Sequence, residues 1–440
     1  MRSKLVILTL VMALAIPTQA QKVYSLMECV KRAQEENLEV SNSQYDQLLY
    51  DQQVKEVKRS ALPQVGFGAE YKIYTQLPTT VIPLSAFQPG EEGYSEAAFG
   101  TDHQSNYSLH LEQVIFNPTL FVGIKAANTA AQMGELQYKQ TKENITYQVA
   151  SNYFNAQVIA EQISMLKENS RTLDTLINST RLMQESGLVN HTDVSRLKIN
   201  QSKLDNQIAT LSANYDYVLN SLRLLLNLSA DAEFAVVTDF NPTPTPLESN
   251  EAFDYQDRTE LQLLDKQKEV LHLQEKQIQA GYLPNISAVG TYGFMGFGQP
   301  DQDFYEHYDF SYVGLKASWL LFDGFTKTAQ TAQKRIEQKQ LESSMELTRR
   351  SIENERINAL SKLRVHHQEV INQKQSMELA SQVYNDIKLQ YSEGVVGVQE
   401  IIESENELTE SQTNYLNSWV HLQQAKLDLA KAEGALLNDY

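Results

Sequence analysis

Residues 62–74 read LPQVGFGAEYKIY, and this stretch decides the fold class. Val65, Phe67, Ala69, Tyr71 and Ile73 alternate with Gln64, Gly66, Gly68, Glu70 and Lys72. A period of two sends one set to each face of a β-strand. One face is apolar and aromatic; the other is small, polar or charged. About ten residues of this kind suit a strand with lipid outside and water inside. A half-buried strand of a soluble sheet alternates in the same way, so one such stretch proves little alone. The pattern returns, however, and what surrounds it is nearly all long helix.

The chain has 440 residues, 42% of them hydrophobic, with 18 Gly and 11 Pro, and its mean hydropathy is −0.41. Acidic residues outnumber basic ones 55 to 37, a formal net charge of −18. A nucleic-acid partner would need a basic stripe, so this balance argues against one. Residues 1–20 read as a secretory signal peptide. Arg2 and Lys4 precede the apolar run Leu5 to Ile16, and Thr18-Gln19-Ala20 supplies small residues for cleavage before Gln21. A lipoprotein would carry Cys where Gln21 stands. The one Cys, Cys29, allows no intramolecular disulfide and reads as a small apolar residue in a helix seam. After residue 20 no run of 18 apolar residues occurs. No transmembrane helix is therefore expected, and entry into a membrane would be as strands of a closed barrel.

Taken in order, residues 21–228 form a first repeat: a helix over Tyr24 to Ser60, strands at about 62–75 and 105–116 around a Pro- and Gly-rich loop at 76–104, a long helix, a turn at Gly187 and a second helix. Residues 229–257 read as an irregular, Pro-rich mid-barrel segment. Residues 258–440 replay the first repeat, with strands at about 284–296 and 310–322, a long helix, a turn at Gly394 and a final helix. Asn37 and Leu62-Pro63 recur as Arg258 and Leu283-Pro284, both at an offset of 221. Phe116 recurs as Phe322 at 206, and Gly187 as Gly394 at 207. The shorter second loop accounts for the fall. The repeat spans almost the whole mature chain.

On the strands, Val65, Phe67, Tyr71, Leu109, Leu111, Tyr292, Phe294, Leu315 and Trp319 fall on the apolar face and are expected to meet outer-membrane lipid. Four strands cannot close a barrel, and an open edge cannot sit in hydrocarbon. Three chains, giving about 12 strands, are the smallest count that leaves a pore. In the helices Ile145, Val149, Phe154, Val158, Ile159, Ile163, Leu166, Leu173 and Leu176 recur every three to five residues among polar ones. Such narrow stripes suit coiled-coil seams with a wet remainder. Helices alone would favour an ordinary bundle; the strands tip the reading towards a membrane assembly.

The stretch Leu62 to Tyr71, the duplicated strand–loop–strand, Arg258-Thr259-Glu260-Leu261 at the start of the second half and the two glycine breaks together resemble the TolC family of outer-membrane efflux proteins. The resemblance implies a mainly α, internally duplicated fold in which four strands per chain complete a trimeric barrel of about 12 strands, continued by a long periplasmic α-helical barrel. It implies a Gram-negative outer-membrane location with a large periplasmic portion, and a passive homotrimeric channel of a tripartite efflux or type I secretion system. Its partners would be a periplasmic adaptor (membrane fusion) protein and an inner-membrane RND, ABC or MFS pump, exporting small molecules or polypeptides. The sequence holds no nucleophile–base–acid constellation, phosphate loop, Cys/His metal spacing or Gly-rich cofactor motif, so no enzyme, cofactor or metal is expected. The rival reading is a trimeric, strand-anchored coiled-coil surface or scaffold protein without a through-pore.

The candidate site lies at the two glycine breaks. Gly187 and Gly394 sit where long helices reverse, and as glycines alone they need be no more than turns. In the family these turns form the tip that adaptors engage, which nominates Gly187, Leu188, Gly394, Val395 and Val396. Glu400 and Glu403 are three apart and share a helix face. Two such glutamates are commonly just solvated surface, whereas the family places an acidic, cation-attracting ring at these positions. The family also closes the tip with an Asp, an Arg and a Tyr at positions that correspond to Asp193, Val396 and Tyr391. Valine cannot pair with a carboxylate, so closure would rest on a Tyr391–Asp193 hydrogen bond, on packing, or on another cation such as Arg196. His366 and His367, adjacent on a helix and so about 100° apart, are a poor metal pair and read as surface.

Overall fold

The computed structural model describes residues 22–86, 90, 92–238, 253–299 and 304–439. The expected signal peptide at 1–20 and the Pro-rich run at 241–246 lie outside these residues. The chain divides into two compact units, each drawing segments from both sequence repeats. One holds residues 48–133 and 265–343; the other holds the chain through 47, 134–264 and from 344 onward. Among the described residues, no helix is long and apolar enough to cross a membrane.

The first of these units is built on a four-stranded antiparallel sheet. Its strands are β2 (Gln64–Ile73), β5 (His103–Phe116), β7 (Asn285–Gln299) and β8 (Phe304–Ser318), in the order β2-β5-β7-β8. Each repeat contributes one neighbouring pair, and β5–β7 joins the repeats. Register aligns Phe67 with Leu109 and Leu109 with Tyr292. It likewise aligns Val65 with Leu111, Leu111 with Gly290 and Gly290 with Val313. Directly opposite residues share a face, so these rows make one continuous apolar surface. On the other face His110 lies between Ser108 and Thr291, its ring nitrogens 2.8 and 3.2 Å from their hydroxyls.

Two details differ from expectation. The stretch 76–104 is not all loop, because β3 (Thr79–Pro83) pairs antiparallel with β4 (Tyr94–Ala98). The β-branched run Thr79 to Ile82 outweighs the prolines that flank it. The fourth strand starts at Phe304 and ends at Ser318, so Trp319 lies just past it; its indole N–H donates to the Tyr282 carbonyl at 2.9 Å. There the Asp323 carboxylate accepts from the Lys327 backbone N–H at 3.0 Å and organises the start of the next helix.

In the second unit, β1 (Lys22–Tyr24) pairs in parallel with β6 (Phe234–Val236), so the 229–257 segment is not wholly irregular. The helix expected over Tyr24–Ser60 is two: α1 (Leu26–Glu36) and α2 (Leu38–Arg59). Asn37 makes the break. Its Oδ1 accepts from the Glu39 and Val40 backbone N–H groups at 2.8 and 3.3 Å, while its Nδ2 donates to the Leu225 carbonyl at 2.8 Å. The remaining helices are α3 (Pro118–Glu185), α5 (Thr259–Ala280) and α6 (Thr326–Ser392), which like α2 contribute residues to both units, and α4 (His191–Leu225), α7 (Val398–Glu433) and the short α8 (Leu436–Asp439), which belong to this unit alone. Ile145, Val149, Val158, Leu166, Leu173 and Leu176 are buried along α3. Leu222, Leu225 and Leu226 at the end of α4 pack in one cluster with Cys29, Phe234 and Val236. Burial pushes the Cys29 thiol up to about 12, which makes it inert as a nucleophile.

Asn37→Ala removes a helix cap and leaves a buried carbonyl without its side-chain donor. It should lower stability by about 1–3 kcal/mol, read as a drop in the thermal or denaturant midpoint of the detergent-purified protein.

Candidate functional site

The two glycine breaks are the same structure built twice. After α3, the Gly187 N–H donates to the Gln184 carbonyl and the Leu188 N–H to the Met183 carbonyl, both at 2.9 Å. After α6, the Gly394 N–H donates to the Tyr391 carbonyl at 3.0 Å and the Val395 N–H to the Gln390 carbonyl at 2.9 Å. This paired bonding is the Schellman ending, which needs a left-handed residue at the glycine position. Gly187 and Gly394 supply it with φ of +80° and +72°. Both connections then deliver the chain to an extended N-cap, Asn190 and Gly397 respectively.

Each turn leaves one apolar side chain in water. Leu188 is 76% exposed and Val395 72%. Val396, in the position where the family carries Arg, is half-buried and packs against a cluster of Leu173, Leu176, Ile177, Leu197, Tyr384, Tyr391, Val398, Ile401 and Leu408. That cluster holds α3, α4, α6 and α7 together directly behind the turns.

The polar residues around it are placed as follows. The Tyr391 hydroxyl bonds the Thr180 hydroxyl at 2.8 Å, not Asp193. Thr180 is itself fully buried, and it reaches Tyr391 because α3 and α6 pack side by side. Burial raises the Tyr391 pKa, and the Asp193 charge adds to this more weakly. Asp193 instead accepts from the Asn190 backbone N–H at 3.2 Å, in a capping box at the start of α4. Arg196 donates to Gln399 Oε1 at 2.8 Å, and Gln399 donates to Glu403 Oε1 at 2.7 Å. Arg196 and Glu403 thus share one bridging amide rather than an ion pair. Glu400 and Glu403 are both exposed on α7, and Glu400 turns back towards the Cα of Gly397.

One carboxylate here escaped the sequence reading. Glu405 is buried on α7 and accepts a short hydrogen bond from the Asn200 side chain of α4. Burial raises its pKa, and the Asn200 bond only partly offsets this. Its place two residues from the expected Glu403 offered no signal, since burial depends on the neighbouring helix. At the sheet, all nine residues expected to meet lipid are exposed: Val65, Phe67, Tyr71, Leu109, Leu111, Tyr292, Phe294, Leu315 and Trp319.

Residues 29–228 match the family model described as outer membrane efflux protein. Over that stretch the chain is similar to the outer membrane efflux proteins. Along 94% of this chain and 84% of the relative, it is 21% identical to the outer membrane protein TolC of Escherichia coli strain K12. The fold matches that of CusC with a TM-score of 0.76 at 14% identity, over 95% of each chain. It matches the CmeC outer membrane channel of Campylobacter jejuni with a TM-score of 0.74 at 15% identity, over 93% of this chain and 85% of that one. At such identities the structures establish the TolC-like fold, mainly α and carried by long helices.

Two outcomes follow from the geometry of the two turns. Gly187→Ala and Gly394→Ala meet no neighbouring atom, so each should cost about 1–2 kcal/mol through left-handed strain alone, seen as faster amide exchange in the adjoining helix ends. For Glu405, the raised folded-state pKa means stability falls as pH rises from the ordinary glutamate range through that higher value, then levels off. Glu405→Gln should therefore raise the thermal midpoint at pH 7 and lose that advantage at pH 4.

Proposed function

We propose that three copies of this chain form a passive outer-membrane channel of an export system. The observation that carries the reading is the four-stranded sheet, apolar and exposed on one face and unpaired along the outer edges of β2 and β8 among the described residues. In hydrocarbon each unpaired backbone group is costly, so the edges must find strands in other copies. The internal repeat supplies the template. Since β2 corresponds to β7 and β5 to β8, the β5–β7 pairing is repeated by β8 of one copy against β2 of the next. Carrying Leu109 and Tyr292 across by the offsets of 206 and 221 puts Leu315 opposite the neighbour's Tyr71. The same operation sets Trp319 opposite the neighbour's Phe67, giving the residue just past β8 an aromatic partner.

The channel performs no chemistry, and the driving energy comes from an inner-membrane RND, ABC or MFS pump. Leu188 and Val395 offer paired apolar contacts at the periplasmic tip for an adaptor protein, with Val396 buttressing the turn from behind. Opening is a shift of the helices around Gly187 and Gly394, driven by adaptor contacts that differ between closed and open states. Glu400 and Glu403, repeated in three chains, attract cations to the constriction. The Tyr391–Thr180 bond and the Arg196–Gln399–Glu403 chain hold the resting tip in place of the pairing that Val396 cannot make. The large helical part occupies the periplasm, reached through the N-terminal signal.

Two measurements test this. Leu315→Cys combined with Tyr71→Cys should give disulfide-linked trimers on oxidation. Antiparallel partners stand about 4.5–5.5 Å apart at Cα, within disulfide range, and the native Cys29 is buried. Linkage in the single mutants, or none in the double, would count against the repeat-templated closure. In planar bilayers the wild type should pass cation-selective current whose selectivity falls in Glu400→Gln/Glu403→Gln. Trimers that conduct nothing, even with Tyr391→Phe, would point to the scaffold reading instead.

A further inference from the structure

We propose that His366, Glu369 and His421 form a binding site for a divalent transition-metal ion of the zinc class. His366 and Glu369 stand three residues apart on α6 and therefore share a face. His421 comes from α7, which packs against that face. One ligand atom from each of the three lies within 4.8 Å of the others. His366 Nδ1–H donates to Glu369 Oε2 at 2.8 Å, and the His366 and His421 rings have centroids 5.2 Å apart. His367, the residue beside His366, takes no part.

Two imidazoles and a carboxylate are the donor set of three-ligand zinc sites that keep a fourth position for water. Nitrogen-rich sets of this kind favour zinc, copper or nickel over magnesium or calcium, which prefer all-oxygen shells. Ligands at about 2.0–2.2 Å from a tetrahedral ion lie roughly 3.2–3.5 Å from each other. Reaching that spacing needs the His366–Glu369 pair to open slightly and His421 to close in, which are side-chain movements. The backbone beneath is fixed, since Leu363 and Val370 on α6 and Leu422 on α7 are buried on either side. His421 is exposed, so an ion can enter from solvent. Once bound, it ties α6 to α7 well away from the Gly394 turn, and so locks the register of the two helices that meet there. Facing helices of bundles commonly hold metals in this way.

The test uses untagged, chelator-stripped, detergent-purified protein titrated with Zn2+ by calorimetry. One ion per chain is expected. His366→Ala and His421→Ala should each weaken binding by at least the roughly 10- to 100-fold that follows loss of a group merely hydrogen-bonded to a ligand. His367→Ala should leave it unchanged. Zn2+ should raise the thermal midpoint of the wild type by mass action and not that of His421→Ala, whose midpoint without metal should match the wild type because the residue is exposed. Absence of saturable binding, or equal binding in wild type, His366→Ala and His421→Ala, overturns the proposal.

Discussion

The backbone groups along the outer edges of β2 and β8 set the terms for the rest of the molecule. A sheet of four strands with an exposed apolar face satisfies its hydrogen bonds internally only between β2 and β8. In water those edges would be an aggregation hazard; in lipid they would be prohibitive. Duplication resolves the difficulty economically. A chain that already contains the β5–β7 junction carries the geometry that the proposed joining of one copy to the next would reuse.

The helices answer a different constraint, that of holding long, mostly polar rods in register. Their apolar seams are narrow, and such seams tolerate sliding. Buried polar contacts between helices remove that freedom, because each is satisfied at one register only. Buried Tyr391 with Thr180 and Glu405 with Asn200, and half-buried Tyr147 with Asp428 at 2.7 Å, are spread along these helices. Behind the Gly187 and Gly394 turns they accompany a compact cluster of aliphatic and aromatic side chains. The turns can therefore be short and strained only at glycine, while the helices entering them are fixed from behind.

What was legible in the sequence was whatever depends on local pattern. The alternation around Phe67 and Leu109 marked strands, and the glycines at 187 and 394 marked reversals, because both signals lie within a few residues. Asn37 was missed as a helix break because it does its work through a carbonyl on α4, 188 residues away. The β1–β6 pair was missed because strands of three residues carry no period. Thr180 was missed as the partner of Tyr391, and His421 as the neighbour of His366, because adjacency of α3, α6 and α7 is a property of packing alone. The fold class was thus readable from periodicity and repetition, whereas the partners of the site residues required the helices to be set side by side.

The order of the sheet also has a consequence for how the chain is made. His110 on β5 meets Thr291 on β7 across 181 residues of sequence that include α3, α4 and α5. The central ladder of the sheet cannot form until both long helices of the first repeat have been synthesised and have returned the chain to its starting point. Contacts of such long range make for slow folding. Until then the β2–β5 ribbon stands alone with its apolar face uncovered, the kind of intermediate that invites aggregation. The β5–β7 ladder therefore closes only after α3 and α4 have been synthesised, and β8 completes the sheet later still.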